Sequence, residues 1–363
     1  MDAGNPLKAW IYRNRRYAKQ WLGAASRVLP APLSRRLRAL AEQVAFRVVP
    51  EYQGDTLPEI FHYWSSRHVR PLAERVGMVS AEEMYLAEAR KVARRKGRVS
   101  IASIGSGAGW LELSLLGKLR EEGLDASMAC IDCNAALMRT AEAEAKSRGL
   151  GDRLSVAVLD GNRPFALDGV DVLIVNQFFH HVEELEVLVA SLRASLDADG
   201  VLLTSDVIGR NGHLPWPSVD AIVQEAWRRL PAAQRFDRYY MERRERYAPV
   251  DHAAYSNEGV RAQDVVECLL AGFDFERFLA FGGAIMPFVE RRIGFNFDPS
   301  SAEDAAFIDG LATLDNQRIE AGDYPASNMI AVLRHKGKAI APVFAPISPE
   351  QQVAATRRQL ALC

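Results

Sequence analysis

One stretch, residues 99–116, constrains the fold more than any other part of this sequence. It reads VSIASIGSGAGWLELSLL. A short apolar run suited to a buried strand is followed by a turn with Gly105, Gly107 and Gly109, and then by apolar residues at helical spacing. A strand, a glycine turn and a helix start let backbone N–H groups approach a ligand closely. The stretch therefore predicts a ligand-binding turn at the edge of a sheet.

The spacing of these glycines separates two classes of ligand. A dinucleotide fingerprint, G-x-G-x-x-G, would need a third glycine at position 110, where the sequence has Trp110. The sequence instead reads G-x-G-x-G, which resembles motif I of the class I S-adenosylmethionine-dependent methyltransferases. The resemblance implies that the turn, Gly105, Ser106, Gly107 and Gly109, binds S-adenosylmethionine and its product S-adenosylhomocysteine.

Further apolar segments along the chain are predicted to be strands two to seven. They are residues 126–131, 154–159, 171–175, 201–204, 275–281 and 327–333. Helical segments and short loops alternate with the first of them, which predicts an α/β, doubly wound, mostly parallel sheet. The family resemblance implies seven strands in a Rossmann-like methyltransferase fold, with the last strand antiparallel between strands five and six. An N-terminal helical extension and helical lid insertions complete the predicted architecture.

Polar residues and a glycine follow the predicted strands at their carboxyl ends, which meet at one edge of such a sheet. Asp132 ends the second strand and is suited to accept hydrogen bonds from a ribose diol. The resemblance extends the predicted cofactor site to the residues beside it and after the third and fourth strands: Cys133, Asp160, Gly161, Asn162, Asn176 and Gln177. It places the residues after the third strand near the adenine amine.

Two adjacent histidines are the predicted catalytic residues. Methyl transfer requires alignment of the acceptor and exclusion of water, and an oxygen acceptor also benefits from a general base. His180 and His181 follow the fourth strand, beside the cofactor edge. Alternatively, one or both histidines pack under the cofactor and orient the loop. His252, Tyr255 and Glu258 are rivals for the role of base.

The acceptor site is predicted between three segments. They are the loop after strand four at residues 176–181, an aromatic helix at 63–68, and residues 235–261 of an insertion that spans 207–262. These segments supply hydrogen-bond donors and stacking surfaces suited to a polar ligand. The substrate-binding candidates are Tyr63, Trp64, Arg67, Arg235, Tyr239, Tyr255 and Arg261. The alternative interpretation is that the helix packs its aromatic side chains on the sheet and the insertion solvates its charges.

The predicted function is methyl transfer to a small polar acceptor, at a hydroxyl of a saccharide-like or other small metabolite. The layout of two insertions, residues 207–262 and 282–325, resembles that of bacterial methyltransferases that act on such compounds. N- or S-methylation of a secondary metabolite, and a non-catalytic S-adenosylmethionine-binding scaffold, are the alternatives. A nucleic-acid partner is not predicted, because residues 176–179 read NQFF rather than an N/D-P-P-aromatic motif.

Charge is distributed unevenly along the 363 residues. Residues 1–49 hold ten Lys or Arg against Asp2 and Glu42, a net charge of +8, whereas the whole chain has a net charge of −1. We predict a basic helical extension and cap at 1–98, a cofactor-binding core at 99–206, lid insertions with strands six and seven at 207–338, and a peripheral tail at 339–363. We expect the basic segment either to pack on the core as a cap or to meet an anionic partner, such as a membrane surface in weak contact, a nucleic acid or a substrate carrier. A transit peptide is a further alternative.

The cysteines and the absence of long apolar runs favour a cytoplasmic protein. Its four cysteines do not form a disulfide framework, and no apolar run approaches the length of a membrane span or a signal peptide. Cys130 and Cys133 form a C-x-x-C pair, but a structural zinc site needs two more ligands. No metal site is predicted on this basis, and the oligomeric state stays open.

Overall fold

A computed structural model describes residues 57–363 and, apart from them, Leu33. The basic segment 1–49, with its predicted packing or membrane contact, lies outside the described residues. None of the helices within 57–363 combines the length and the apolar character needed to cross a bilayer.

The described chain is built around an eight-stranded sheet. In chain order the strands are β1 (Val99–Ile104), β2 (Ala126–Asp132), β3 (Leu154–Val158), β4 (Val170–Asn176), β5 (Leu196–Val207), β6 (Phe236–Asp237), β7 (Glu242–Arg243), β8 (Phe273–Phe281), β9 (Asn328–His335) and β10 (Val343–Ala345). Strands β6 and β7 form a separate hairpin, and the order across the main sheet is β10-β8-β9-β5-β4-β1-β2-β3. Strand β9 is antiparallel to β5 and β8, and the other pairs in this sheet are parallel.

The helices alternate with the strands of the first half and cluster in the insertions of the second. They are α1 (Glu59–Trp64), α2 (Arg70–Arg75), α3 (Ala81–Lys96), α4 (Trp110–Glu121), α5 (Ala135–Ser147), α6 (Leu185–Ser195), α7 (Pro217–Arg229), α8 (Val265–Gly272), α9 (Met286–Val289), α10 (Ala302–Glu320) and α11 (Pro349–Leu360). A π-helical segment, Ser65–Val69, joins α1 to α2. The predicted doubly wound α/β sheet, with its antiparallel strand between two others, is confirmed.

The centre of the sheet is apolar because it is covered on both faces. Strand β4 is buried at every position except its last residue, Asn176. Such near-continuous burial is typical of a parallel strand with helices above and below it. Strand β3 lies at the edge of the sheet and is partly exposed.

The prediction of seven strands is wrong by one, because residues 343–345 pair with β8 in parallel. The segment 339–363, predicted as a peripheral tail, thus supplies the outermost strand and the helix α11, which buries Ala355. Because this strand is only three residues long and is flanked by prolines, the sequence shows no strand pattern there. An edge strand tolerates them, because it needs hydrogen bonds on one side only.

Side-chain and glycine caps begin the helices close to the strand ends. Ser80 caps α3 by accepting a hydrogen bond from Glu83 N, as its sequence signature predicts. Gly109, with a left-handed backbone, caps α4, and the side chain of Asn134 caps α5. The first turn of α4 therefore lies immediately after the glycine turn that follows β1.

An ion pair joins the two insertions of the second half of the chain. Arg292, in the second insertion, pairs with the fully buried Asp237 in the first. The same guanidinium donates to the carbonyl of Ala248 at 2.6 Å and lies 5.0 Å from the centre of the Tyr247 ring. The insertions are therefore tied together beside the sheet.

Candidate active site

The glycine turn after β1 has the backbone geometry that its sequence requires. Gly105, Gly107 and Gly109 have φ of 73°, 56° and 75°, values that favour glycine. The amides of Gly105 and Ser106 donate to the carbonyl of Ile131 at 2.8 and 3.1 Å, which anchors the turn on β2. A Cβ on Gly107 would meet no atom of the described residues within 4 Å. The turn thus leaves room for a ligand to lie against its backbone at Gly107.

Asp132 supports the same turn from the end of β2. Its Oδ2 accepts a hydrogen bond from Gly107 N at 3.0 Å, and its Oδ1 accepts one from Asn134 N at 2.8 Å. A carboxylate has about four lone-pair positions, so further donors can bind to both oxygens. The half-buried carboxylate therefore shapes the turn, and its predicted contact with a ribose diol stays a prediction.

One aromatic ring brings the loops after β1, β3 and β4 together. A Cβ on Gly105 would lie 2.3 Å from the ring of Phe178, and one on Gly161 would lie 3.0 Å from it. Asn162 Oδ1 accepts hydrogen bonds from the amides of Glu183 and Glu184 at 2.9 and 3.0 Å. These contacts hold the loop after β3 against the loop after β4. The packing of Phe178 therefore requires glycine at both positions, whether or not a ligand also lies against them.

Asp206, in β5, fixes the loop that carries the adjacent histidines. Its fully buried Oδ2 accepts hydrogen bonds from the amides of Phe178 and Phe179 at 2.9 and 2.8 Å. Its Oδ1 lies 2.6 Å from His180 Nδ1. The carboxylate therefore sets both the backbone of the loop and the orientation of the His180 ring.

Four histidines and a glutamate, which we call the histidine cluster, gather beside this loop: His180, His181, His213, His252 and Glu258. Ring centres are 4.1 Å apart for His180 and His181, 5.5 Å for His180 and His213, and 5.7 Å for His213 and His252. Glu258 Oε1 lies 3.3 Å from His180 Nε2 and 3.4 Å from His213 Nε2. Its Oε2 lies 3.7 Å from His181 Nε2. One carboxylate thus contacts three imidazoles.

The members of the cluster have strongly perturbed pKa values. Burial alone would lower the pKa of His180, but the carboxylates of Asp206 and Glu258 raise it to about 10. Desolvation, and the positive charge of His180, lower the pKa of His181 to about 4. Desolvation also lowers the pKa of His213 to about 4. Burial opposes ionisation of Glu258, but its hydrogen bond to His180 and the nearby imidazoles hold its pKa below the usual range.

Backbone hydrogen bonds hold the cluster together from three separate segments. Val260 N donates to the carbonyl of His180 at 3.0 Å, and Gly212 N donates to the carbonyl of Gly259 at 2.9 Å. His213 has a left-handed backbone with φ of 57°. A Cβ on Gly259 would lie 2.5 Å from the His213 ring, so a glycine leaves the space that this ring occupies.

Sequence comparison points to one family for the region that contains the turn and the loop. A sequence profile described as a methyltransferase domain matches residues 102–204, from β1 into β5. The match contains the glycine turn, Asp132 and both adjacent histidines. The chain contains a class I S-adenosylmethionine-dependent methyltransferase domain. The protein is therefore an enzyme, and S-adenosylmethionine is its cofactor. No curated protein sequence matches the chain.

Solved methyltransferase structures resemble this methyltransferase at low sequence identity. The geranyl diphosphate C-methyltransferase from Streptomyces coelicolor is 12% identical, with a TM-score of 0.39, over 69% of this chain and 77% of that one. An O-methyltransferase of a trans-AT polyketide synthase from Brevibacillus brevis is 13% identical, with a TM-score of 0.39, over 77% of each chain. A citrinin polyketide synthase CMeT domain is 18% identical, with a TM-score of 0.28, but this match spans 31% of our chain and 30% of that one.

The other predicted cofactor residues lie at the sheet edge, where their contacts with the cofactor stay predictions. Asn176 Oδ1 accepts a hydrogen bond from Tyr85 Oη at 2.9 Å. Gln177 has a φ of 51°, and its Nε2 donates to the carbonyl of Ser205 at 3.2 Å. Asp160 Oδ1 accepts a hydrogen bond from Asn162 N at 2.9 Å, which tightens the loop after β3. Cys133 is exposed and forms no disulfide.

The predicted aromatic helix packs on the second insertion of the methyltransferase. Trp64 is buried, with its ring centre 6.3 Å from that of Phe281. Tyr63 Oη donates to Asp309 Oδ2 at 2.9 Å, and Arg67 Nε lies 3.4 Å from Asp309 Oδ1. These contacts give Trp64 a place in the core and join Tyr63 and Arg67 to α10. The roles of these three residues in substrate binding stay predictions.

The candidates in the first insertion divide between the cluster and other contacts. Tyr255 Oη lies 3.0 Å from His252 Nδ1, so this tyrosine borders the histidine cluster. The ring of Tyr239 lies 6.4 Å from that of His252. Arg235 Nε donates to the carbonyl of Leu230 at 2.9 Å. Arg261 pairs with Glu186 and Asp264, away from the cluster. Tyr255 and Tyr239 are therefore the better placed of these candidates.

A surface cleft of about 540 Å³ lies where Arg261 meets helices α6 and α8. Glu186, Arg193 and Cys268 line it, together with neighbouring residues of the same helices. None of its lining residues belongs to the glycine turn or to the histidine cluster. The cleft is therefore separate from the glycine turn and from the histidine cluster, and Arg261 within it is already paired with Glu186 and Asp264.

Sequence reasoning missed two members of the site. His213 lies in the segment IGRNGHLPW after β5, and the turn N-G-H is the signal in the sequence, since β5 ends at the same edge as β4. Asp206 lies inside β5, and its contact with His180 has no signal in the local sequence. Both contacts link residues that are far apart in the sequence.

We expect Asp132→Ala to weaken binding of S-adenosylhomocysteine by about 2–3 kcal/mol, because it removes charge-assisted hydrogen bonds to the ribose and the support of Gly107. Calorimetric titration measures this change. Asp125→Ala is the matched control, since Asp125 immediately precedes the same strand at its opposite end and is half exposed. Equal affinity in Asp132→Ala and the native protein would show that the ribose does not bind there.

Proposed function

We propose that this methyltransferase transfers a methyl group to a hydroxyl of a small polar acceptor bound at the histidine cluster. The observation that carries the proposal is the contact of Glu258 with three histidines beside the cofactor edge. The donor supplies a methyl group that its sulfonium has already activated. The protein must therefore position the acceptor oxygen, accept its proton and exclude water.

The position of the cluster supports this proposal. Phe178 packs against Gly105 of the glycine turn, and His180 and His181 follow it within the same short loop. The strand β4 that leads into this loop is the direct neighbour of β1. An acceptor that contacts these histidines therefore lies beside the site of the methyl donor.

His181 is our candidate for the residue that takes the proton. The side chain of His180 is 3% exposed, and both of its ring nitrogens face carboxylates, whereas the side chain of His181 is 34% exposed. An acceptor can reach His181 more readily. As the acceptor oxygen bonds the methyl carbon and the carbon–sulfur bond breaks, the hydroxyl proton passes to the His181 ring. His180, held by Asp206, positions the loop.

The surroundings of the cluster favour a polar acceptor. The first insertion adds His252, Tyr255 and Tyr239, whose rings combine stacking surfaces with hydrogen-bonding groups. We propose a hydroxylated small metabolite, of which a saccharide-like compound is one example. N- or S-methylation is the alternative, since an amine or thiol could use the same base. A non-catalytic scaffold is disfavoured by the base beside the donor site.

The remaining predictions concern the whole protein. We propose that residues 99–206 bind the cofactor and that the insertions within 207–338 cover the acceptor. The cytoplasmic location, the lack of a nucleic-acid partner and the membrane contact of residues 1–49 stay predictions.

We expect His181→Ala to lower turnover by about 10²-fold or more, with donor affinity within a few-fold, because the variant removes the proton acceptor but leaves the glycine turn intact. The assay follows transfer of a labelled methyl group, with donor affinity measured separately by calorimetry. His335→Ala is the control, because its ring bonds the carbonyl of Leu196 outside the cluster. Normal turnover in His181→Ala would contradict the proposed role.

A further inference from the structure

We infer that His180, His213 and Glu258 form a binding site for one divalent transition-metal ion. One nitrogen from each histidine and one oxygen from the glutamate all lie within 4.8 Å of one another. His180 comes from the loop after β4, whereas His213 and Glu258 lie near opposite ends of the first insertion. The tertiary fold therefore assembles a set of ligand atoms that no local sequence motif contains.

The distances between the ligand atoms fit an ion at their centre. Glu258 Oε1 lies 3.3 Å from His180 Nε2 and 3.4 Å from His213 Nε2. Two ligand atoms that are each about 2.1 Å from a tetrahedral ion lie about 3.4 Å apart. The nitrogens of His180 and His213 lie within 4.8 Å of each other. Adjustment of that distance, and release of the Nε2 proton of His180, would let the three side chains coordinate one ion.

The ring of His180 is oriented as metal-binding histidines usually are. Its Nδ1 lies 2.6 Å from the buried carboxylate of Asp206, which leaves Nε2 to face Glu258. Carboxylate–histidine–metal arrangements use such a bond to fix the ring and to make its other nitrogen a better ligand. Asp206 is therefore the positioning residue of the proposed site.

His213 provides a second, independent observation. Its Nε2 is buried but makes no hydrogen bond within the described part of the chain. Buried polar atoms nearly always have a partner, and an ion between His213 and Glu258 would supply one. The left-handed backbone of His213 and the glycine that leaves room for its ring maintain this orientation at an energetic cost.

The ligand set indicates the class of the metal. Two imidazoles and one carboxylate favour zinc, iron, cobalt or manganese over magnesium or calcium, which prefer oxygen ligands alone. The side chains of His213 and Glu258 are 28% and 36% exposed, so an ion can enter from that side. Three protein ligands also leave coordination positions for another molecule, as catalytic metal sites do.

The role of the ion rests on the proposed function, whereas its binding does not. An acceptor hydroxyl in an open coordination position would lose its proton more readily, because the cation stabilises the oxygen anion. The proton passes to His181, and the oxygen then bonds the methyl carbon as the carbon–sulfur bond breaks. The site would thus select acceptors that offer an oxygen ligand.

Metal binding by the full-length protein tests the inference without an acceptor. The protein is treated with a chelator, dialysed and titrated with Co²⁺ and Zn²⁺, and bound metal is measured by mass spectrometry together with the visible spectrum of Co²⁺. We expect one ion per chain at this site, with visible Co²⁺ bands and no thiolate charge-transfer band. His213→Ala and Glu258→Gln should each weaken binding by about 100-fold or more. His62→Ala is the control, because His62 is exposed on α1.

Three results would overturn the inference. The first is no bound ion, and the second is unchanged affinity in both His213→Ala and Glu258→Gln. The third is Co²⁺ bound only to a cysteine thiolate, as shown by a cobalt–thiolate band with no other bound Co²⁺. Methyl transfer is then measured with the same metal-depleted protein. If the protein binds no ion and is fully active without metal, the metal site is refuted and the proposed function stays intact. Binding of the ion at these residues in a protein that methylates no hydroxyl supports the site and refutes the proposed function.

Discussion

Asp206→Ala is expected to lower the free energy of unfolding by about 3–5 kcal/mol, because it leaves a buried imidazole and buried amides without their partner. The fully buried carboxylate accepts hydrogen bonds from the amides of Phe178 and Phe179 and contacts His180 Nδ1. Denaturant unfolding of the full-length protein measures the loss. Turnover should fall as well, since the loop that carries the histidines loses its anchor.

A matched control for this variant lies in the same strand. Asp199 is also in β5, but its side chain is 67% exposed and pairs with Lys338 on the surface. Asp199→Ala should change the free energy of unfolding by less than about 1 kcal/mol, as removal of an exposed ion pair usually does. A loss below about 1 kcal/mol for Asp206→Ala, within the range of ordinary surface substitutions, would contradict the anchoring role of Asp206.

Gly107→Val is expected to abolish detectable binding of S-adenosylhomocysteine while the protein stays folded. The φ of Gly107 is 56°, and its Cβ direction is open, so a valine side chain would occupy the space left for the ligand. The backbone strain itself should cost about 1–3 kcal/mol of stability. Calorimetric titration of the variant, beside its unfolding curve, separates the loss of binding from the loss of stability.

Gly123→Val separates strain from occupation of the ligand site. Gly123 has a φ of 70°, and a Cβ there would also meet no atom of the described residues within 4 Å, but it follows α4 at the far end of that helix. We expect a similar loss of stability and unchanged binding of S-adenosylhomocysteine. If Gly107→Val binds as Gly123→Val does, the ligand does not lie against the glycine turn.

Local patterns explain why the glycine turn and its neighbours are predictable from the sequence. The strand, the glycine turn and the helix follow one another in the sequence. A single strand–turn–helix arrangement accounts for the pattern of all their residues. Asp132 is recognisable because a strand end in a parallel sheet has a known position relative to its neighbours. Each of these inferences needs the period of a strand or helix and the rule for parallel connections, but no distant contact.

The histidine cluster depends on contacts between distant segments, which the periodicity of the sequence does not reveal. His213 reaches His180 only because β5 and β4 are neighbours and because the first insertion folds back over both. Trp64 is of a residue type that often binds ligands, yet its side chain is buried beside Phe281. The strand β10 is three residues long and flanked by proline, so its pairing with β8 has no counterpart in the local pattern.

The chemical identity of the methylated atom tests the central claim most directly. The full-length protein is incubated with a donor that carries an isotope-labelled methyl group and with a small-molecule extract, and the labelled product is examined by mass spectrometry and carbon NMR. We predict a small polar product whose labelled methyl carbon has the chemical shift of an O-methyl group, and we predict that His181→Ala yields far less of it. A label found on nitrogen, sulfur or carbon, or formed equally well by His181→Ala, would contradict the proposed transfer to a hydroxyl at the histidine cluster.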